Sequence, residues 1–232
     1  MKAAWSAIGF TVAGLAWFGL ELSPQVYGFE DTDSPRVMLA FLTEHAQLFA
    51  FAGLCLFVMA FTLTWTVQAT RDPAEMDEPH TAAATVRSFG LIAAGSFLVA
   101  GVLRFSNEPL LYISGLDRDW GEAGYVALQL VTVHGFLQAA TIALCIWAVG
   151  TAVLAYRSGL IGPVLGALAV IPAFRLLTLI GGPLGILPEV LWLPSIAAIL
   201  GTIAYAGLLA AIVLRRGTRR SSAGLMPAAS VP

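Results

Sequence analysis

Six long runs of apolar residues, separated by short polar segments, dominate the pattern along the chain. A helix needs about 20 predominantly apolar residues to cross the hydrocarbon core of a bilayer. The pattern therefore predicts an all-α fold, a polytopic transmembrane bundle of six helices that forms one domain over residues 1–214. The predicted spans lie near residues 5–22, 45–69, 88–104, 125–156, 160–182 and 191–214.

The fourth and second apolar runs each depart from the pattern of a single membrane-spanning helix. The fourth is too long for one untilted span, so we expect it to tilt, to kink near Gly135 or Gly150, or to project beyond the membrane. Ahead of the second run, Ser34 can cap a helix that has Pro35 in its first turn. The segment that ends at Glu44 is then either a short helix on the membrane surface or an extension of the second span.

Composition excludes a soluble domain, because 58% of the 232 residues are hydrophobic and only 11% are charged. The two cysteines, Cys55 and Cys145, both fall within apolar runs and form no CxxC pair. Neither a disulfide framework nor a redox motif is therefore predicted.

The arginines predict the orientation, because cytoplasmic loops are enriched in Lys and Arg. With the N-terminus inside, the cytoplasmic side holds Lys2, Arg71, Arg87, Arg157, Arg215, Arg216, Arg219 and Arg220. The opposite side holds Arg36, Arg104 and Arg118. No small-x-small cleavage site follows the first run, which is expected to be an uncleaved anchor. Both termini are therefore predicted to be cytoplasmic, and the basic tail, residues 215–232, is expected to be disordered near anionic headgroups.

Arg175 lies inside the fifth apolar run, in "AVIPAFRLLTLIGGP". Helical side chains lean towards the N-terminus of their helix, so Arg175 points away from the nearer, outer interface. An unpaired charge at this depth costs several kcal/mol. We therefore expect Arg175 to face the bundle and meet an acidic partner, with Pro172 freeing a backbone carbonyl nearby.

Several polar residues at span ends are expected at a similar height, towards the outer side, whereas His134 and Gln138 are expected on a polar stripe of the fourth helix that descends from mid-membrane towards the cytoplasm. The candidate cluster for ligand binding or structural charge pairing consists of Arg175, Arg104, Glu108, Glu44, His45, Glu21, His134 and Gln138. A purely structural interpretation also applies: Arg175 then forms one ion pair that holds the bundle, the acids at span ends are solvated, and His134 and Gln138 make contacts between helices.

Familiar catalytic and cofactor motifs are missing from the sequence. Haem ligation needs histidines at matched depth, and His45 and His134 are predicted at different heights. No HExxH zinc motif and no Gly-rich phosphate loop occurs, and Ser96 has no nucleophile elbow around it. We therefore predict no catalytic residue, no metal, no cofactor and no nucleic-acid partner.

The segments "DTDSPRVMLAFLTEHAQLFAFAGL" and "GPVLGALAVIPAFRLLTLIGG" give the chain a resemblance to bacterial multi-spanning membrane proteins grouped as domains of unknown function. The resemblance covers most of the spans and rests on hydropathy and on small-residue and proline positions. It implies a multi-pass location in the bacterial inner membrane and no functional residue.

Three hypotheses for function follow. The first is a non-catalytic membrane component, an accessory subunit, sensor or lipid-interacting protein whose partners are membrane lipids and a protein or a second copy of the chain. The alternative is a carrier of a small solute, ion or proton that uses the cluster around Arg175. The third is a lipid-modifying enzyme with residues 107–124 as its substrate loop.

Overall fold

The computed structural model describes residues 2–27, 34–70, 80–106, 112–113, 115–181 and 192–224. Within these residues the regular elements are helical and no strand is present. The first helices along the chain are α1 (Lys2–Glu21), α2 (Ser23–Val26), α3 (Pro35–Glu44), α4 (Ala46–Ala69), α5 (His80–Phe105) and α6 (Arg118–Gln129). A π-helical segment (Leu130–Leu137) and then α7 (Gln138–Arg157), α8 (Pro163–Ala167), α9 (Val170–Gly181) and α10 (Trp192–Gly224) follow.

Five stretches of helix among the described residues are long and apolar enough to cross a membrane. They are Ala46–Ala69, Thr81–Phe105, Asp119–Arg157, Pro163–Gly181 and Pro194–Gly217. These stretches support the prediction of a helical membrane protein. The first predicted span also forms a helix, α1, but α1 is not among the five.

Three predicted spans have helices that extend well beyond their limits, and the fourth span begins with α6 at Arg118 and not near 125. α5 begins at His80 and not near 88, because the intervening segment is rich in alanine, the strongest helix former. α10 continues beyond 214 to Gly224, so the start of the tail, which we expected to be disordered, is helical. Four arginines within residues 215–224 favour a helix, and no proline occurs between residue 214 and Pro227. The rest of the predicted tail, residues 225–232, lies outside the described residues.

The cap predicted ahead of the second span is confirmed. The hydroxyl of Ser34 accepts a hydrogen bond from the backbone N–H of Val37 at 3.4 Å, and Pro35 occupies the first turn of α3. The backbone then leaves the helical region at His45, with φ −119° and ψ 35°. α3 is therefore a separate short helix and not a continuous extension of α4.

The long fourth span contains eight residues of π-helix, the segment Leu130–Leu137, which includes Gly135. A π-helix widens each turn and so changes which side chains share a face, and such segments occur frequently at functional sites. Gly135, one of the two positions near which a kink was one of the expected alternatives, lies within this π-helical segment, whereas Gly150 lies within the regular helix α7.

The fifth span is interrupted by a turn at Leu168 and Ala169, between α8 and α9. Pro172 has no N–H to donate to the carbonyl of Leu168, which accepts instead from Ile171 at 3.1 Å. The span therefore consists of one short helix and one longer helix, and the longer helix carries Arg175.

The core lies where α1, α4, α5, α7 and α10 pack together. α4 and α5 approach closely because Gly53 and Gly101 face each other's backbone. A Cβ atom on Gly53 would lie 2.6 Å from the backbone nitrogen of Phe105 and 2.9 Å from the carbonyl oxygen of Gly101. This close contact fixes the last turn of α5 at the end of the bundle where α1 ends and α4 begins, which we call the Arg104 end.

Candidate functional site

Arg104, in the last turn of α5, is buried with only 4% of its side chain exposed. Its Nη2 atom donates to Oε1 of Glu21, the last residue of α1, at 2.5 Å, and to Oε1 of Gln129 at 3.4 Å. The guanidinium carbon also lies 5.7 Å from the centre of the Phe49 ring. Four helices, α1, α4, α5 and α6, therefore meet around one cation.

α6 supplies a second layer of polar groups. Nε2 of Gln129 donates to the hydroxyl of Tyr125, one helical turn earlier, at 2.9 Å. Tyr125 is buried against Leu39 and Leu42 of α3. This packing joins α3 to α6 and places the tyrosine hydroxyl and the Gln129 amide beside Arg104.

A cavity of about 440 Å³ lies next to this polar cluster at the Arg104 end. Cavities that hold small molecules typically measure about 300–1,000 Å³ and are mostly apolar with a few convergent polar groups. The polar lining consists of Glu21, Ser23, Arg104, Tyr125, Gln129 and His134. The apolar lining includes Leu20, Leu48, Phe49, Ala52 and Val133. The volume lies within that range, and the lining combines apolar side chains with several polar ones.

The ion pair leaves hydrogen-bonding capacity unused. Nε of Arg104 and Oε2 of Glu21 are enclosed, yet neither atom has a hydrogen-bond partner among the described residues. Buried polar groups in proteins are nearly always hydrogen-bonded, so each such atom requires an explanation such as a bound water or ligand. One unpartnered donor and one unpartnered acceptor thus belong to residues that line the cavity.

Arg175 has a different environment, because α9 packs against α7 and α10 and not against the Arg104 end. Its Nη1 atom donates to the hydroxyl and, at 3.5 Å, to the carbonyl oxygen of Ser195. The Ser195 hydroxyl in turn donates to Thr178 at 3.1 Å. Within the described residues no carboxylate pairs with Arg175, so Glu21 and Glu44 are not the acidic partner that we expected.

The remaining candidate residues lie in separate places. Glu44 is exposed at the end of α3, and Gln138 is half-buried and does not line the cavity beside Arg104. His45 stacks on Phe41 with the ring centres 4.5 Å apart. His134 is exposed and lines the Arg104 cavity from the π-helical segment. Glu108 lies outside the described residues.

The structure therefore brings three of the candidates, Glu21, Arg104 and His134, to one cavity. It adds Tyr125 and Gln129, which sequence analysis did not select. Their spacing of four residues places them on one face of a helix, and that was the only available signal, because the contacts with α3 and α5 join segments distant in sequence.

No protein-family model matches the chain, and neither a curated protein nor a solved structure matches it. The resemblance to bacterial multi-spanning proteins of unknown function therefore stays a prediction based on hydropathy. The buried ion pair and the cavity at the Arg104 end are the features that bear on function.

Proposed function

We propose that this protein is a non-catalytic membrane component that binds a small amphipathic ligand in the Arg104 cavity, as a sensor or lipid-interacting protein does. The cavity of about 440 Å³ beside a buried ion pair is the observation that carries this proposal. Apolar side chains can bury a ligand's hydrocarbon part, and the unpartnered polar atoms can orient its head.

The location of the cavity supports an amphipathic ligand. It lies where candidate membrane-spanning helices end or begin, which is the level at which hydrocarbon gives way to polar headgroups. A molecule with one polar and one apolar end is concentrated at that level by the membrane itself. A protein that senses or retains such a molecule needs no catalytic residue.

The proposal includes six spans with both termini in the cytoplasm of a bacterium. α1 has 20 residues, long enough at about 1.5 Å per residue to match a hydrocarbon core of about 30 Å, and it packs on α4 and α10. The arginine distribution favours the same orientation. A cysteine added at either terminus should resist a membrane-impermeant maleimide in intact cells and react after lysis. Labelling of the N-terminal cysteine in intact cells would contradict the orientation.

Native mass spectrometry of the protein, extracted gently from its host membrane, tests ligand binding. Leu48→Trp fills part of the cavity, whereas Leu54→Trp changes an exposed residue of the same helix and serves as the control. We expect a bound small amphiphile in the wild type and in Leu54→Trp, and its loss in Leu48→Trp. Equal ligand content in all three proteins would contradict the proposal, and a co-purifying protein subunit would favour an accessory role.

A second candidate function, a carrier of a small solute, ion or proton, is favoured by one observation at Arg175. An ionisable residue within a span is by default a functional hypothesis, and Nε of Arg175 is buried without a hydrogen-bond partner among the described residues. If this function is correct, Arg175→Gln should abolish solute flux in proteoliposomes while the protein remains folded and abundant. Unchanged flux in Arg175→Gln would remove the carrier hypothesis.

A further inference from the structure

We infer that the Arg104 cavity selects uncharged amphiphiles whose head group both donates and accepts hydrogen bonds, such as a medium-chain fatty amide or alcohol. This inference rests on the proposed function, because it names the ligand class of the same cavity. Three properties of the cavity lead to it: its charge balance, its unpartnered polar atoms and its apolar walls.

Among the described residues, the formal charges of the cavity lining balance. Arg104 and Glu21 are the two formally charged residues in that part of the lining, and their side chains are in direct contact at 2.5 Å. An anionic head group would have to displace Glu21 or lie beside it as a second anion. A cationic head group would meet the same obstacle at Arg104. Since a charge without a counter-charge is costly to bury, both kinds of head group are disfavoured.

The unpartnered atoms are suited to a head group that has both a donor and an acceptor. Both atoms are enclosed, so a small side-chain movement is needed before Nε of Arg104 can donate to a ligand or Oε2 of Glu21 can accept from one. The Tyr125 hydroxyl accepts from Gln129, so its own hydrogen remains available for a ligand. A primary amide or a hydroxyl can accept from one of these donors and donate to the carboxylate at the same time. The Glu21 side chain is 29% exposed, and a small rotation of it would open Oε2 to the cavity.

The apolar walls define the rest of the ligand. Leu20, Phe49, Ala52 and Val133 line the side of the cavity that is formed by the apolar parts of α1, α4 and the π-helical segment. A polar solute without a hydrocarbon part would leave these side chains facing water. The lining therefore favours a molecule in which a small polar head continues into an alkyl chain.

A panel of ligands with one chain length tests the inference. The probes are octanamide, 1-octanol, octanoate and octylammonium, titrated calorimetrically into the full-length protein in nanodiscs. Heat from partition into the bilayer is removed by subtracting the same titration of Leu48→Trp. We expect octanamide and octanol to bind at least tenfold more tightly than octanoate and octylammonium. Equal or tighter binding of either charged probe would overturn the inference.

Glu21→Gln provides a second test that separates charge from shape. The substitution retains an oxygen that can accept from Arg104 but removes the balancing charge, so octanoate should gain at least tenfold in affinity relative to octanamide. An unchanged ratio of the octanoate and octanamide affinities would overturn the inference, and the wild-type panel decides the question if this variant does not fold. If no probe distinguishes the wild type from Leu48→Trp, it is the proposed function itself that fails.

Discussion

Arg104 and Arg175 are both arginines within the helical bundle, but the chain accommodates them in different ways. Arg104 is paired with the carboxylate of Glu21, hydrogen-bonded to Gln129 and adjacent to an aromatic ring and a cavity. Arg175 is bonded to the hydroxyl and carbonyl of Ser195, and the structure gives it no carboxylate partner among the described residues.

A position deep within an apolar run therefore does not by itself predict what surrounds an arginine. Arg175 is flanked by longer apolar segments and was therefore the more conspicuous of the two. Arg104, at the end of its span, is the residue that meets a carboxylate, an amide and a small-molecule cavity at one point. The surroundings of an arginine, and not its position in a hydropathy profile, determine what it can do.

The largest expected effect is the loss of unfolding free energy when the carboxylate that pairs with Arg104 is removed. Glu21→Ala leaves Arg104 buried without a carboxylate, and removing one partner of a buried pair costs about 3–5 kcal/mol. We expect the lower end, because the Glu21 side chain is 29% exposed. The unfolding free energy in bicelles measures the effect, with Glu44→Ala at an exposed position of the same end as the control. Equal losses in the two variants would show that the ion pair contributes nothing.

A smaller effect on stability is expected when a glycine at a helix contact near each arginine is replaced by alanine. A Cβ atom on Gly53 would press on the backbone of α5, whereas one on Gly201 would lie 2.7 Å from the Cγ2 methyl of Ile171, which is a side-chain atom and not backbone. Gly53→Ala should therefore cost about 1–3 kcal/mol, as overpacking does, and Gly201→Ala less. Thermal unfolding compares them, with Gly95→Ala, which has open space around it, as the control. A Gly201→Ala protein less stable than Gly53→Ala would reverse this comparison.

Ser195→Ala tests the hydroxyl that contacts Arg175 among the described residues. Hydrogen bonds between membrane helices contribute about 0.6 kcal/mol on average and up to about 1.7 kcal/mol, so the loss should be smaller than that for Glu21→Ala. Ser88→Ala, which removes a bond only within its own helix, is the matched control. Denaturant unfolding of the two variants in bicelles measures the loss. A loss as large as that for Glu21→Ala would mean that Arg175 depends on Ser195 as strongly as Arg104 depends on its carboxylate.

The smallest expected effect on the unfolding free energy is that of replacing an arginine at the surface. Arg36 contacts Asp119 at 3.1 Å and Glu122 at 3.2 Å, but its side chain is 56% exposed. Exposed pairs contribute about 0.2–1 kcal/mol and are screened by salt. Arg36→Gln should therefore lower the unfolding free energy slightly at low salt, and the difference should vanish in about 1 M salt. A difference that persists in high salt would indicate that Arg36 acts through packing.

Much of the fold could be predicted from the sequence because its signals are local. Apolar runs predict the helices, and Ser34 with Pro35 predicts the start of α3. The sequence also selected Glu21 and Arg104 as candidates at one end of the bundle, and His134 as a candidate at mid-membrane. It could not pair Glu21 with Arg104, because that contact depends on how α1 and α5 dock across the intervening α4. The π-helical segment and the Ser195 partner of Arg175 likewise depend on tertiary packing, for which no local pattern exists.

Photoaffinity labelling tests most directly whether the Arg104 cavity binds an uncharged amphiphile. A medium-chain fatty amide with a diazirine in its chain would be photolysed with the protein in nanodiscs, and the modified peptides identified by mass spectrometry. The account predicts labels on the cavity walls, at residues 20–24, 48–52 and 129–134, which unlabelled octanamide competes away. Labels spread over exposed, bilayer-facing positions such as Leu54, Phe61 and Trp65, without competition, would contradict it.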